Sequence, residues 1–168
     1  AVAAKLLARG YFEAPDVSPR ATMVIDLRQG EDEILAGMSP SRRRNVRQAQ
    51  QNGLEVGAGS RDDIDRFHEL HAVSGERQGF RPLPKSYLRA QWDALRPAGA
   101  VELVTASHAG RIVAGIWLTR SGGTVTYRIP GWNGEAAKLQ PNVACHWYAM
   151  RWAKRLGDRW YDLGGIDR

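Results

Sequence analysis

The region between residues 101 and 129 constrains the fold of this chain more than any other. Three apolar segments follow one another there, separated by short turns that contain glycine: 101–106, 112–119 and 124–129, with turns at 108–110 and 121–123. Short glycine turns between apolar segments are typical of strands that pair antiparallel in chain order. We therefore predict a three-stranded antiparallel meander at the centre of the fold.

Further elements flank this meander on both sides. The nearly continuous apolar run Thr22–Leu27 is typical of a strand buried on both faces. Helical spacing and end signals predict helices at 39–52, 62–77, after Pro84 and at 141–155, and a last strand at 160–163. This order of elements predicts an α/β fold with a mixed, mostly antiparallel sheet flanked by helices.

The charge balance favours polyanionic partners. The 168 residues include 24 Lys and Arg against 18 Asp and Glu, which gives a net charge of +6 and a pI near 9.9. Nucleic acid, phosphate-bearing substrates and acidic membrane surfaces are the partners that such a chain attracts. The single cysteine, Cys145, excludes an intramolecular disulfide framework and a zinc site built from several thiolates. We therefore expect a reducing, cytoplasmic location.

Four segments of the chain resemble one known family. TMVIDL at 22–27, RRRNVRQAQQNG at 42–53, GRIVAG at 110–115 and YDLGG at 161–165 match, in order, motifs of the FemA/FemB/FemX-type peptidoglycan aminoacyltransferases. The resemblance implies a GNAT-like (acyl-CoA N-acyltransferase) fold, which Fem-type proteins carry twice. We expect residues 21–168 to form one GNAT-like domain, and residues 1–20 to be a helix end and linker left from a preceding domain.

The resemblance also implies an activity. Fem-type proteins move an amino acid from aminoacyl-tRNA to the stem peptide of a peptidoglycan precursor. The expected partners are therefore aminoacyl-tRNA and a nucleotide- or lipid-linked muropeptide precursor, with the inner face of the membrane as a further contact. Because the donor ester is already activated, neither a metal nor another cofactor is expected. In the family a Phe–Lys pair follows the last motif, and this chain reaches Arg168 without one.

Asp26 is the predicted catalytic residue. A carboxylate within an apolar strand is costly to bury unless it is paired or functional. The resemblance implies that Asp26 acts on the acceptor amine. The alternative is a structural role, in which the carboxylate accepts hydrogen bonds from an arginine or from the start of a helix.

The helix that follows Pro40 carries the predicted anion-binding residues Arg43, Arg44 and Arg47. Together with Arg42 they place four like charges on one helix, and the neighbouring acids do not balance them. A phosphate group, from the tRNA backbone or from a nucleotide diphosphate, would relieve this repulsion. The alternative is a solvated charged face.

A second predicted binding group lies in the proline-rich segment after Phe80. The resemblance implies that an arginine and a tyrosine near this point hold the uridine diphosphate of the precursor, and the candidates are Arg81, Lys85 and Tyr87. The alternative is a loop whose basic side chains are only solvated.

A third group is predicted to line the cleft at which GNAT-like folds bind substrate. Tyr127, Arg128 and Trp132 lie where the last strand of the meander leads into a loop. Gly131 and Gly134 are predicted to let a ligand approach the backbone closely.

Two other functions stay open. One is a different GNAT-fold N-acyltransferase, which forms amides from a tRNA-borne donor or uses acetyl-CoA. Against CoA, residues 132–136 lack the glycine-rich loop whose amides would cradle a pyrophosphate. The other is a non-catalytic basic domain that docks RNA or an anionic membrane. His68, His71 and His146 lack partners at metal-ligand spacing and are interpreted as core or surface histidines.

Overall fold

The computed structural model of the protein describes residues 2–12, 21–51 and 53–166. The elements in these ranges are α1 (Val2–Leu7), β1 (Ala21–Asp26), α2 (Glu31–Ala36), α3 (Pro40–Gln51), β2 (Glu55–Ala58), α4 (Asp63–Gln78), α5 (Lys85–Leu95), β3 (Val101–His108), β4 (Arg111–Ser121), β5 (Thr124–Trp132), α6 (Pro141–Arg155) and β6 (Trp160–Ile166). The predicted linker at 13–20 lies outside the described residues. Within the described ranges, no helix is both long and apolar enough to cross a membrane.

The six strands form one sheet in the order β1-β6-β5-β4-β3-β2. The predicted meander is β3, β4 and β5, and each of these strands pairs antiparallel with the next. β2 and β1 extend the sheet antiparallel at its two ends, while β5 and β6 are parallel neighbours. The prediction of an α/β fold with a mixed, mostly antiparallel sheet is confirmed.

The parallel pairing of β5 and β6 is short. It covers only Thr124–Thr126 against Trp160–Asp162. β5 keeps its pairing with β4 as far as Trp132, and β6 keeps its pairing with β1 as far as Ile166. The paired stretch therefore ends at Thr126 and Asp162. The strands still approach each other at Gly164, where a Cβ atom would lie 3.1 Å from the Tyr127 carbonyl oxygen, and beyond this point each strand follows its other neighbour and the sheet opens from within.

Helices cover the sheet on both faces. On one face α3 and α6 enclose a core that includes Val46, Val104, Ile116, Cys145 and Tyr161. On the other face α4 and α5 enclose a second core that includes Ile64, Phe67, Leu88, Leu103 and Trp117. Neighbouring residues of the central strands point to opposite cores, as the alternation of side chains along a strand requires.

A large aromatic ring replaces the ligand predicted to lie against Gly131. Gly131 and Gly115 are register partners on β5 and β4. A Cβ atom would lie 2.8 Å from the Phe67 ring at Gly131 and 2.9 Å from it at Gly115. The two glycines thus form a shallow seat for the α4 side chain, and the prediction that Gly131 admits a ligand is wrong.

The prediction that β1 is buried on both faces is also wrong. β1 is the terminal strand of the sheet, and Met23 and Val24 are 53% and 45% exposed. A continuous apolar run occurs in central strands but does not by itself show where in the sheet a strand lies.

We predict that Gly131→Ala destabilises the protein by about 1–3 kcal/mol, because the added methyl must displace Phe67 from a close-packed core. The free energy of unfolding from urea denaturation measures this effect. Gly57→Ala is the matched control, since Gly57 also lies in a strand and a Cβ atom there would meet no atom within 4 Å. Equal stabilities of the two variants would contradict the seat assigned to Gly131.

Candidate functional site

Three aromatic side chains meet where β5 and β6 separate. Tyr127 comes from β5, Tyr161 from β6 and His146 from the second turn of α6. His146 Nδ1 lies 2.8 Å from the Tyr161 hydroxyl oxygen. The imidazole ring centre lies 4.6 Å from the Tyr127 ring centre, in an edge-to-face arrangement. The imidazole therefore covers the opening of the sheet.

Burial keeps these three side chains neutral. It lowers the pKa of His146 to about 4, with a smaller contribution from the positive charge of Arg42. Burial also raises the pKa of Tyr127 to about 12 and that of Tyr161 well above its ordinary value. Tyr161 is fully buried, and its hydroxyl has no other hydrogen bond among those of the described residues, so its O–H is satisfied only by donating to Nδ1; the neutral imidazole then carries its own proton on Nε2.

Thr22 ties β1 to β6 beside this opening. Its hydroxyl is hydrogen-bonded to Asp162 Oδ1 and lies 2.6 Å from the Gly164 carbonyl oxygen. Asp162 Oδ1 also accepts the backbone N–H of Gly164 at 2.9 Å. Gly164 has φ +81°, and a Cβ atom there would lie 3.1 Å from the Tyr127 carbonyl oxygen. The segments TMVIDL and YDLGG thus build one wall of the same opening.

Arg43, one of the predicted anion-binding residues, is used within the fold. Its Nη1 donates to the carbonyl oxygens of Ala36 at 3.0 Å and Met38 at 2.5 Å. These carbonyls lie at and just beyond the end of α2, where a helix leaves acceptors unpaired. Arg43 therefore fixes α3 against α2, a contact that a ligand would have to share.

Arg44 and Arg47 face outward from α3. They line an open cavity of about 700 Å³ together with Arg43 and the uncharged residues Pro40, Gln48 and Gln51. Val46 and Ala49 are buried on the opposite face of the helix. Among the described residues, no carboxylate lies within ion-pair distance of Arg44 or Arg47. This cavity can accept an anion without breaking an existing pair.

Arg42 lies on a different side of α3 from these two arginines. At 100° per residue it shares the helix face of Val46 and Ala49, which packs towards α6. Its charge acts on His146. Arg42 is exposed, and it is the arginine of this helix whose charge acts on His146; it was not among the predicted binding residues.

Asp26, the predicted catalytic residue, forms an ion pair with Arg28. Arg28 Nη2 lies 2.5 Å from Asp26 Oδ2, and its Nε donates to Oδ1 at 2.9 Å. These hydrogen bonds hold the pKa of Asp26 at about 2. Asp26 lies opposite Trp160, where β6 begins, whereas Thr22 lies opposite Gly165 near its end. Four residues of strand, about 13 Å, separate Asp26 from the level of Thr22.

Asp26 follows Ile25, the register partner of Tyr161, so it lies one residue along β1 from the level of the Tyr161–His146 contact. A carboxylate with so low a pKa attracts a cation but accepts a proton poorly. Its catalytic role stays a prediction.

The predicted group Arg81, Lys85 and Tyr87 lies on the α4–α5 side of the sheet. All three side chains are exposed, and Lys85 Nζ lies 3.5 Å from Asp65 Oδ2. Tyr127 and the α3 arginines belong to the other side, where α3 and α6 pack. The sheet therefore separates two of the predicted binding groups.

His71 fastens the loop that carries Arg81. Its ring is buried, its Nδ1 lies 2.8 Å from the Pro130 carbonyl oxygen, and its Nε2 accepts the Leu83 N–H at 3.2 Å. The carbonyl can only accept, so Nδ1 carries the proton. Both ring nitrogens are in use, as expected of a core histidine.

The end of β5 is held by contacts within the chain. Trp132 Nε1 donates to the Glu135 carbonyl oxygen at 2.8 Å, and the Arg77 guanidinium lies 4.8 Å from the centre of the Trp132 ring. Arg77 Nη1 also lies 3.1 Å from the position of a Cβ atom at Gly134. Arg77 occupies the space beside Gly134 in which a ligand was predicted, and Arg128 is exposed on β5.

Cys145 is buried, and burial raises the pKa of its thiol. In the described part of the chain, no three His, Cys, Asp or Glu side chains converge as a metal site would require.

Comparison with known proteins identifies the fold family. The sequence profile described as "Acetyltransferase (GNAT) domain" matches residues 40–168. The chain belongs to this family. The GNAT assignment covers α3 to β6 and therefore includes the opening between β5 and β6.

Sequence similarity within the GNAT family points to Fem-type proteins. The lipid II:glycine glycyltransferase of Staphylococcus aureus is 34% identical over 87 residues, which are 52% of this chain and 21% of that protein. The match thus spans about a fifth of the length of the curated relative.

Solved structures agree on the fold. FemX superposes with a TM-score of 0.85 at 20% identity, over 99% of this chain and 60% of FemX. The structure of L-PGS from Bacillus licheniformis superposes with a TM-score of 0.61 at 15% identity, over 86% of this chain and 46% of that one. The resemblance to Fem-type proteins is confirmed.

We predict that acid destabilises the protein through His146. Its pKa in the folded state, about 4, lies below the ordinary value of 6.5, so the unfolded chain binds a proton in this interval and the folded chain does not. The free energy of unfolding should fall by up to about 1.4 kcal/mol per pH unit as the pH drops below about 6.5.

Urea denaturation of the wild type and His146→Gln between pH 7.5 and 5 measures this difference. The variant should lose that part of the slope, whereas His108→Gln, which removes an exposed histidine, should keep it. An unchanged slope in His146→Gln would contradict the assignment.

Proposed function

We propose that this GNAT domain transfers an amino acid from aminoacyl-tRNA to the stem peptide of a lipid-linked peptidoglycan precursor. The observation that carries the proposal is the 34% identity with a lipid II:glycine glycyltransferase. That similarity fits a fold whose sheet opens beside a neutral polar cluster. The protein would act at the anionic inner face of the membrane, where a lipid-linked acceptor is found.

The main task of the protein in this reaction would be to hold and orient the two reactants. The amine of the acceptor attacks the carbonyl carbon of an ester that is already activated, so no covalent intermediate on the protein is needed. Holding the two reactants together in the right orientation supplies much of the rate increase in such reactions. The reaction is proposed to take place at the opening between β5 and β6, beside Tyr127 and His146. Asp26, if it takes part, would attract the ammonium form of the acceptor.

Residues 132–136 favour a tRNA-borne donor over acetyl-CoA. A CoA pyrophosphate would need free backbone amides in this loop. Here the Glu135 N–H donates to Asn133 Oδ1 at 3.0 Å, and Trp132 Nε1 donates to the Glu135 carbonyl oxygen. These contacts organise the loop without an anion.

The outward face of α3 is proposed to hold the phosphate backbone of the tRNA. Arg44 and Arg47 lie one turn apart beside an open cavity, which Gln48 and Gln51 also line; Gln48 Nε2 already donates to the Lys138 carbonyl oxygen at 3.1 Å. Guanidinium groups without a carboxylate partner bind phosphates without losing an existing ion pair. The remaining predicted contacts, Arg81, Lys85 and Tyr87, would meet the precursor on the α4–α5 side.

A transfer assay tests the proposed function. The protein is incubated with lipid II and a set of aminoacyl-tRNAs, and the precursor is analysed by mass spectrometry for an added aminoacyl residue. Acetyl-CoA replaces the tRNA in a parallel reaction. Addition from tRNA alone is the expected result. Acetylation without aminoacyl transfer would identify a different GNAT activity.

We predict that Arg44→Gln with Arg47→Gln weakens tRNA binding and flattens its salt dependence. Loss of two phosphate contacts should lower the slope of log affinity against log salt by about one per arginine. Filter binding between 50 and 300 mM salt gives both quantities.

The matched control changes the same charge elsewhere. Arg9→Gln with Arg111→Gln removes two exposed arginines, one from the segment after α1 and one from the first residue of β4. This control should keep the wild-type slope. Equal slopes for the two double variants would show that net charge, and not the α3 face, determines binding.

A further inference from the structure

His146 presents a hydrogen-bond donor for which the fold provides no acceptor. The Tyr161 hydroxyl donates to Nδ1 at 2.8 Å, which leaves the imidazole proton on Nε2. Among the hydrogen bonds of the described residues, none uses His146 Nε2. The buried side-chain atoms without a partner in the described residues are Arg89 Nε, Trp147 Nε1 and Asp158 Oδ1; His146 Nε2 is not one of them, so this donor reaches the surface and can meet an acceptor on a ligand.

The surroundings of His146 keep this donor neutral and fixed in orientation. Tyr127 from β5 packs against its edge, Tyr161 from β6 holds Nδ1, and the neighbouring Cys145 thiol is buried on α6. Arg42 from α3 is the charged group that acts on the ring. Two aromatic contacts and one hydrogen bond therefore orient Nε2–H before any ligand arrives.

We propose that His146 Nε2–H donates a hydrogen bond to the carbonyl oxygen of the acyl group being transferred. The inference rests on the proposed acyl transfer and assigns a residue to it. His146 covers the point at which β5 and β6 separate, which is where an acyl group entering the sheet would lie. Tyr161 is then a positioning residue, because it fixes which nitrogen carries the proton.

The step balances without a proton from His146. The amine nitrogen forms a bond to the carbonyl carbon, and the π electrons of the C=O bond move onto the oxygen, which accepts the hydrogen bond from Nε2–H. When the C=O bond reforms, the bond from carbon to the ribose oxygen breaks. The amine loses one proton, and the ribose hydroxyl gains one. His146 stays neutral throughout and stabilises the oxyanion.

Two stable analogues of an aminoacyl-adenosine end test this donor. In the first, an aminomethylphosphonate replaces the aminoacyl group on the adenosine 3′-oxygen and places a negative oxygen where the oxyanion would form. In the second, a glycyl amide at the 3′-position keeps a planar carbonyl. Calorimetry gives the affinity of the protein for each. A donor aimed at the oxyanion should bind the phosphonate more tightly than the amide.

His146→Ala should lower the affinity for the phosphonate about 10- to 100-fold and change the affinity for the amide less than threefold. His146→Gln, which keeps an N–H donor, should retain phosphonate affinity within about tenfold of the wild type. His108→Ala is the control on an exposed histidine and should change neither affinity. Equal losses for both analogues in His146→Ala would overturn the proposal.

The imidazole ¹⁵N spectrum supplies a readout besides activity. In the wild type, Nε2 should carry the proton and Nδ1 should not, and Nε2–H should shift when the phosphonate is added. Tyr161→Phe should leave the ring a mixture of the two neutral tautomers and lower kcat more than it changes KM. A proton on Nδ1 in the wild type would contradict the assignment directly.

The outcomes separate this inference from the proposed function. Transfer activity with no His146-dependent phosphonate binding would overturn the inference alone. Phosphonate binding that depends on His146, without transfer to lipid II, would overturn the proposed substrates and support the donor. Absence of both transfer and phosphonate binding in the wild type would overturn both.

Discussion

The brief parallel contact between β5 and β6 is the constraint on which the rest of this structure depends. Three residues on each strand pair, and each strand then follows its antiparallel neighbour away from the other. The glycine pair under Phe67 holds β4 and β5 close to α4, and the Thr22–Asp162 contact holds β6 to β1. The opening is thus maintained by contacts on both of its sides, with no need for a ligand to separate the strands.

Electrostatics divides the molecule into two regions with different tasks. The outer face of α3 is cationic and solvated, which suits long-range attraction of a polyanion. The cluster at the opening is neutral, because burial disfavours the charged forms of His146, Tyr127 and Tyr161. The outer face of α3 can therefore attract a charged reactant, while its reacting group lies at the neutral cluster. Burial strengthens the hydrogen bonds that the side chains of this cluster form.

Local patterns in the sequence were sufficient to predict much of the fold. The glycine turns predicted the meander. The helix signals at Pro40 and Gly53 predicted the ends of α3 to within one residue. Features that depend on distant residues were not predictable in this way. The role of Gly131 depends on Phe67, 64 positions earlier, and the choice of which His146 nitrogen carries the proton depends on Tyr161, which lies on β6. Helical spacing predicts that Arg42 and Arg44 lie on different sides of α3. It does not show which side faces the core, so the sequence alone could not associate Arg42 with His146.

The exposed position of β1 has a practical consequence for handling the protein. Among the described residues, β1 pairs on one side only, with β6, so the backbone groups on its other side meet no strand there, and Met23 and Val24 are exposed beside them. Unpaired edge strands can pair with strands of other molecules, which promotes self-association in concentrated solution. The substitution Met23→Lys would place a charge on this edge strand and disfavour its pairing with other molecules during purification. It would leave Thr22 and its hydrogen-bond partners unchanged.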